Sequence, residues 1–116
     1  MDERIEKAFG VANYMATLSN QRRIILEEYD QGLIHYSNGA TFKIDQQLIG
    51  FVKTLVDLDH TKDVVLTDSN NLPTQVEDLE LFLNNIVDKY LLETKKYAIK
   101  FNEIKVKRKI ADIVDL

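Results

Sequence analysis

The stretch DLELFLNNIVDKYLLETKKYAIKFNEI, residues 78–104, decides the fold. Leu79, Leu83, Ile86, Tyr90, Thr94, Tyr97, Phe101 and Ile104 follow one another at intervals of three or four residues, the period of one face of an α-helix. Only Thr94 in that series is polar, and neither Gly nor Pro interrupts it. Asp78 precedes the run as an N-cap, its carboxylate suited to accept from the open N–H groups of a first turn, and Glu80 adds charge favourable to a helix start. Extended to Lys109, a helix beginning at Asp78 would be about 48 Å long, more than the roughly 30 Å width of a small domain. Such a helix must protrude, pair or bend.

A partner of matching length lies at the other end of the chain. Ile5, Phe9, Ala12, Met15 or Ala16, then Ile25, Leu26 and Tyr29 again carry the helical period, and a helix from Asp2 to Asp30 would span about 43 Å. Around Leu18-Ser19-Asn20-Gln21 the stripe turns polar, which fits either a break between two helices or a polar layer in one. Asp30-Gln31-Gly32 is a stop signal, Gly32 being able to take the left-handed conformation that commonly ends a helix. The two long helices could run antiparallel.

Between them the period shortens. Leu33-Ile34-His35-Tyr36 and Ala40-Thr41-Phe42-Lys43-Ile44 flank Ser37-Asn38-Gly39, and Asn-Gly accepts the positive φ angles of a tight hairpin turn. Asp45 can cap a short helix through Leu58, with Leu48, Ile49, Val52, Leu55 and Val56 on its apolar side. Val64-Val65-Leu66-Thr67 and Leu72 to Val76 read as a second strand pair around the turn Asp68-Ser69-Asn70-Asn71, with Pro73 fit only for an edge position. The expected architecture is α+β, a single domain over residues 1–116, in which two long helices flank a small ββαββ region of antiparallel hairpins. Two long helices bracketing β-hairpins resembles the prefoldin layout of helical tentacles on a β platform, although the central helix departs from that plan.

Composition narrows the chemistry. The 116 residues include no Cys, no Trp and two His, which excludes a disulfide scaffold, a thiol nucleophile and Cys-ligated zinc. The glycines Gly10, Gly32, Gly39 and Gly50 do not cluster into a phosphate-cradling loop. His35 falls in a hairpin strand and His60 in an acidic loop, neither beside a Ser to activate. Asp57, Asp59, His60 and Asp63 are dense enough to suggest a cation, but a calcium loop begun at Asp68 would put Pro73 where Gly is required and Leu79 where Glu is required. Helix capping and loop solvation explain these acids. The expectation is a protein that is not an enzyme, with no catalytic residue, cofactor or metal ligand. No apolar run reaches the roughly 18 residues of a membrane span, and Asp2 and Glu3 stand where a signal peptide would be basic, so a cytoplasmic setting without membrane contact is expected.

Charge is unevenly distributed within a net −4. Lys95, Lys96, Lys100, Lys105, Lys107, Arg108 and Lys109 crowd one segment whose sole acid is Glu103, while Asp57, Asp59, Asp63, Asp68, Glu77, Asp78 and Glu80 face Lys62 alone. Solvated surface is the plain reading of both blocks; a basic strip for nucleic acid or an acidic partner is the sharper one. Tyr97 and Phe101 belong to the apolar stripe and are not free to stack on bases. The chain closes on Ile110-Ala111-Asp112-Ile113-Val114-Asp115-Leu116, residues 110–116, either continued helix by way of Arg108 and Ala111 or a peptide that docks apolar anchors in a partner's groove.

The pattern of Asp112, Ile113, Val114, Asp115 and Leu116 resembles the C-terminal tails by which the polymerase and late-transcription coactivator of T4-type phages grip their sliding clamp. Residues 40–45, residues 48–58 and the closing Val114-Asp115-Leu116 look like small uncharacterised proteins of T4-like marine cyanophages. That likeness implies a phage origin, the host cytoplasm and an accessory role, and it carries over no functional residue. The sequence thus leads to a non-enzymatic interaction, adaptor or assembly protein with an unspecified protein partner. It would oligomerise with itself through Leu79, Leu83, Ile86, Tyr90, Tyr97, Phe101 and Ile104. The alternative is a nucleic-acid-associated replication or transcription accessory using the basic segment and the clamp-like tail.

Overall fold

The computed structural model describes residues 2–114 of the chain, with side chains as far as Ile110. Helix α1 (Glu3–Gly32) is followed by strands β1 (Ile34–Ser37) and β2 (Ala40–Lys43), helix α2 (Gln46–Asp57), strands β3 (Lys62–Thr67) and β4 (Pro73–Asp78), and helix α3 (Leu79–Val114). The class is α+β, with long helices flanking two antiparallel strand pairs and a short helix between them. Two compact units result, one from the residues up to Tyr29 with those from Lys95 onward, the other from Asp30–Thr94.

In the β-bearing unit, local chemistry sets each element. Asn38 and Gly39 both adopt positive φ, 50° and 77°, and close the hairpin directly after the Ser37↔Ala40 pair. Strand β2 buries alternate residues, Ala40 and Phe42, and Ile44 continues the alternation beyond it. Asp45 caps α2 by accepting from the Leu48 backbone N–H at 2.7 Å. Strands β3 and β4 keep one register from Lys62↔Asp78 to Thr67↔Pro73, with Pro73 at the strand's first residue, where no ladder donor is lost. The strands are longer than their apolar stretch suggests, because the pairing of Lys62 with Asp78 lies outside it. Asp78 also caps α3, accepting from the Leu81 N–H at 3.1 Å.

The core of this unit gathers Leu33, Phe42, Ile44, Val52, Leu66, Val76, Leu79, Phe82 and Ile86. Phe42 and His35 both meet Phe82 edge to face, with centroids 5.2 and 5.3 Å apart. Lys89 donates to the Ile34 carbonyl at 2.7 Å, and Gln46 donates to the Tyr90 hydroxyl at 3.2 Å. Phe42, Ile44, Val52, Leu79 and Ile86 are fully buried, each contributing about 1.5–3 kcal/mol.

Gly32 differs from expectation. It is the last residue of α1, and among the described glycines only Gly39 has positive φ, so the helix does not end on a left-handed glycine. The space is used instead: a Cβ on Gly32 would lie 2.6 Å from Cδ of Glu93 and collide with its carboxylate.

In the helical unit, α1 continues without a break through Leu18-Ser19-Asn20-Gln21. Leu18 is buried, whereas Ser19, Asn20 and Gln21 face outward, and Arg23 donates to Asn20 and Glu27 at 2.8 and 3.1 Å. The packed face is Val11, Met15, Leu18, Arg22, Ile25 and Tyr29, spaced by three and four residues. Against it stand Tyr97, Phe101 and Ile104 of α3. The Tyr29 and Tyr97 rings meet edge to face at 4.6 Å, and the Arg22 guanidinium lies 5.0 Å over the Phe101 ring. Lys100 pairs with Glu28 at 2.8 Å. Pairing Tyr29 with Tyr97 and the earlier Arg22 with the later Phe101 makes the helices antiparallel.

Candidate functional site

The stripe assigned from sequence to assembly is partly covered within the chain. Leu79 and Ile86 are fully buried and Ile104 nearly so, while Leu83, Tyr90, Tyr97 and Phe101 are half-buried. The three buried side chains give a partner no surface to grip, while the four half-buried ones keep part of theirs.

The uncovered surface is the reverse of the same helix. At about 100° per residue, Ile99, Val106 and Ile110 point roughly opposite to Tyr97, Phe101 and Ile104. They are 52%, 58% and 54% exposed. α3 is therefore apolar on two opposing faces in this unit, one filled by α1 and one bare. On α1, Ile5 and Phe9, 47% and 56% exposed, share a side with exposed Ala12 and Ala16; every residue from Asp2 to Gly10 is exposed, so the packed face opposite begins only at Val11. The sequence reading merged these residues with the inner stripe and missed Val11, Leu18 and Arg22. The seven-residue step from Ile99 to Val106, out of phase with Tyr97 and Ile104, was the signal for a second face on α3.

The basic residues surround α3 instead of lining one side. By the same rotation Arg108 falls toward the packed face, Lys95 and Lys109 on one flank of the outer stripe, Lys96, Lys100 and Lys107 on the other, and Lys105 between. Lys100 is engaged by Glu28. Helix continues through Asp112, Ile113 and Val114, which favours continued helix over a free peptide there. The side chains of Asp112, Ile113 and Val114, together with Asp115 and Leu116, lie outside the described residues.

The β-bearing unit offers one polar knot and a shallow groove. The Asp68 carboxylate accepts from the Asn70 and Leu72 N–H groups through Oδ1, at 2.9 Å each, and from Thr41 N–H through Oδ2 at 3.1 Å. These backbone donors, Leu72 foremost and then Thr41, hold its pKa below 3.8. Ser69 completes the junction, donating its N–H to the Thr41 carbonyl at 2.8 Å and accepting from Lys43 N–H at 3.0 Å. The turn thus covers the outer edge of β2. Beside it a groove of about 600 Å³ is lined by Phe42, Leu48, Phe51 and Val65. His35 is held below its ordinary pKa of 6.5 by burial and then by the Lys89 charge.

Asp57 pairs with Lys53 at 2.8 Å, and Asp63 accepts from Gln75 at 3.2 Å, so these acids serve the helix and the hairpin. Among the described residues no three His, Asp or Glu side chains gather as a metal site, and no helix is long and apolar enough to cross a membrane. Fold and surface together define an α+β chain whose distinguishing feature is a helix pair with bare apolar outer faces. Comparison with protein-family models, curated proteins and solved structures finds no match for it.

Proposed function

We propose that this chain is a small non-enzymatic interaction protein, an adaptor or assembly factor, that associates with itself through its long helices. The observation carrying this reading is the bare outer face of the helix pair, Ile99, Val106 and Ile110 on α3 with Ile5 and Phe9 on α1. Scattered exposed apolar residues are ordinary, but three on one face of one helix, opposite a packed face, form a second seam. An accessory role in a phage-infected cytoplasm is the setting that the cyanophage resemblance suggests. Light scattering on the full chain tests the reading. A mass of two or more chains is expected, falling in Val106→Asp while helix content stays unchanged; a single-chain mass at every concentration sinks it.

The second reading, a nucleic-acid accessory, draws on the exposed Lys95, Lys105, Lys107 and Lys109. It ranks lower because the basic groups surround the helix and cannot all follow one phosphate backbone. Retention of DNA or RNA at low salt, lost steeply as salt rises, would favour it over the adaptor.

A further inference from the structure

We infer that self-association pairs unlike faces: the outer face of α1 in one copy, Ile5, Phe9, Ala12 and Ala16, seats on the outer face of α3 in another, Ile99, Val106 and Ile110. The inference rests on the self-association proposed above and names the surfaces that meet. Charge selects this pairing. The α3 stripe is bordered by Lys95 and Lys109 on one side and Lys107 on the other, with Glu103 as the lone nearby acid. Laid against its own copy, it would set lysines against lysines. The α1 stripe is bordered by Glu6, whereas Arg4 and Lys7 project toward the other side of that helix; the Asp2 carboxylate caps the helix start, accepting from Arg4 N–H at 3.1 Å. A stripe edged by Glu6 and free of flanking lysines therefore meets a lysine-edged one.

Size fits as well. Ala12 and Ala16 leave α1 slim on this face, which admits the branched Ile99, Val106 and Ile110 to close packing. All of these groups belong to the helical unit, and their exposure shows that no other described part of that unit covers them. A contact between two different faces is heterologous, so copies linked this way close into a ring or extend as a fibre.

Complementation between two full-length variants tests the pairing. Phe9→Asp spoils the α1 face and leaves α3 intact; Val106→Asp does the reverse. Both positions are exposed, and circular dichroism confirms that each variant folds. Wild type is expected at a mass of several chains, each variant alone at the mass of one. An equimolar mixture should reach two chains and stop, since one good α1 face remains for one good α3 face. Three results overturn the inference: Phe9→Asp alone retaining the wild-type mass, which places α3 against α3; Val106→Asp retaining it, with or without Phe9→Asp; or a mixture that stays at one chain. In each of those the self-association itself survives. A single-chain wild type removes both.

Discussion

Asp68 uses both carboxylate oxygens on the backbone, Oδ1 toward Asn70 and Leu72 and Oδ2 toward Thr41, so its replacement by asparagine is not a neutral exchange. An amide keeps one acceptor oxygen; its NH2 must face the Thr41 N–H, or else the two turn donors. Asp68→Asn should lower the melting temperature and loosen the junction between β2 and the β3–β4 turn, seen as faster amide exchange at Thr41 with Leu72 retained. Unchanged exchange at both would show that the junction does not depend on the carboxylate. His35 supplies a second residue-level expectation. Its folded pKa lies below the ordinary 6.5, so the unfolded chain takes up the proton more readily. The stability this represents is complete above about pH 6.5 and is lost as pH falls through the lowered value. Melting temperature should drop on going from pH 7 to pH 5.5, and His35→Phe should flatten that slope.

Elements with a strict period or a strict turn were legible in the sequence; those defined by what covers them were not. The Asn38-Gly39 hairpin announced itself because only positive φ closes a two-residue loop, and both residues adopt it. Gly39→Ala should cost about 1 kcal/mol through the left-handed penalty alone, since no neighbour lies within 4 Å of the added Cβ. Equilibrium urea melts would show it as a lower midpoint at unchanged slope. The caps Asp45 and Asp78 were equally plain. By contrast Leu18-Ser19-Asn20-Gln21 left α1 undecided, because three polar residues in a row look like a break unless one knows that Leu18 is buried while the three stay exposed. Arg22 was illegible for the same reason: a charged residue on an apolar face makes sense only with Phe101 beneath its guanidinium. The assembly surface was read on the more regular stripe of α3, where period is strongest, yet period reports that a face is buried and not by which chain.

At the scale of the molecule, stability and assembly are assigned to different residues and can be separated. Ile86 has no exposed surface and lies within the β-bearing unit; Val106 is more than half exposed in the helical unit. Truncating Ile86→Ala removes buried methyl groups and leaves a cavity, a loss of about 2–5 kcal/mol wherever the surroundings do not collapse. Val106→Asp removes little that the isolated chain buries, so it should act chiefly on copies in contact. Self-association links unfolding to concentration: each tenfold rise in protein should stabilise an intermolecular contact by about 1.4 kcal/mol, and the melting temperature climbs accordingly. Thermal melts over a hundredfold concentration range should therefore give three patterns. Wild type rises with concentration; Ile86→Ala runs parallel to it at lower temperature; Val106→Asp is flat and meets wild type at the dilute end. A wild-type melting temperature independent of concentration would mean that copies do not meet through the outer stripe of α3, and self-association would fall with it.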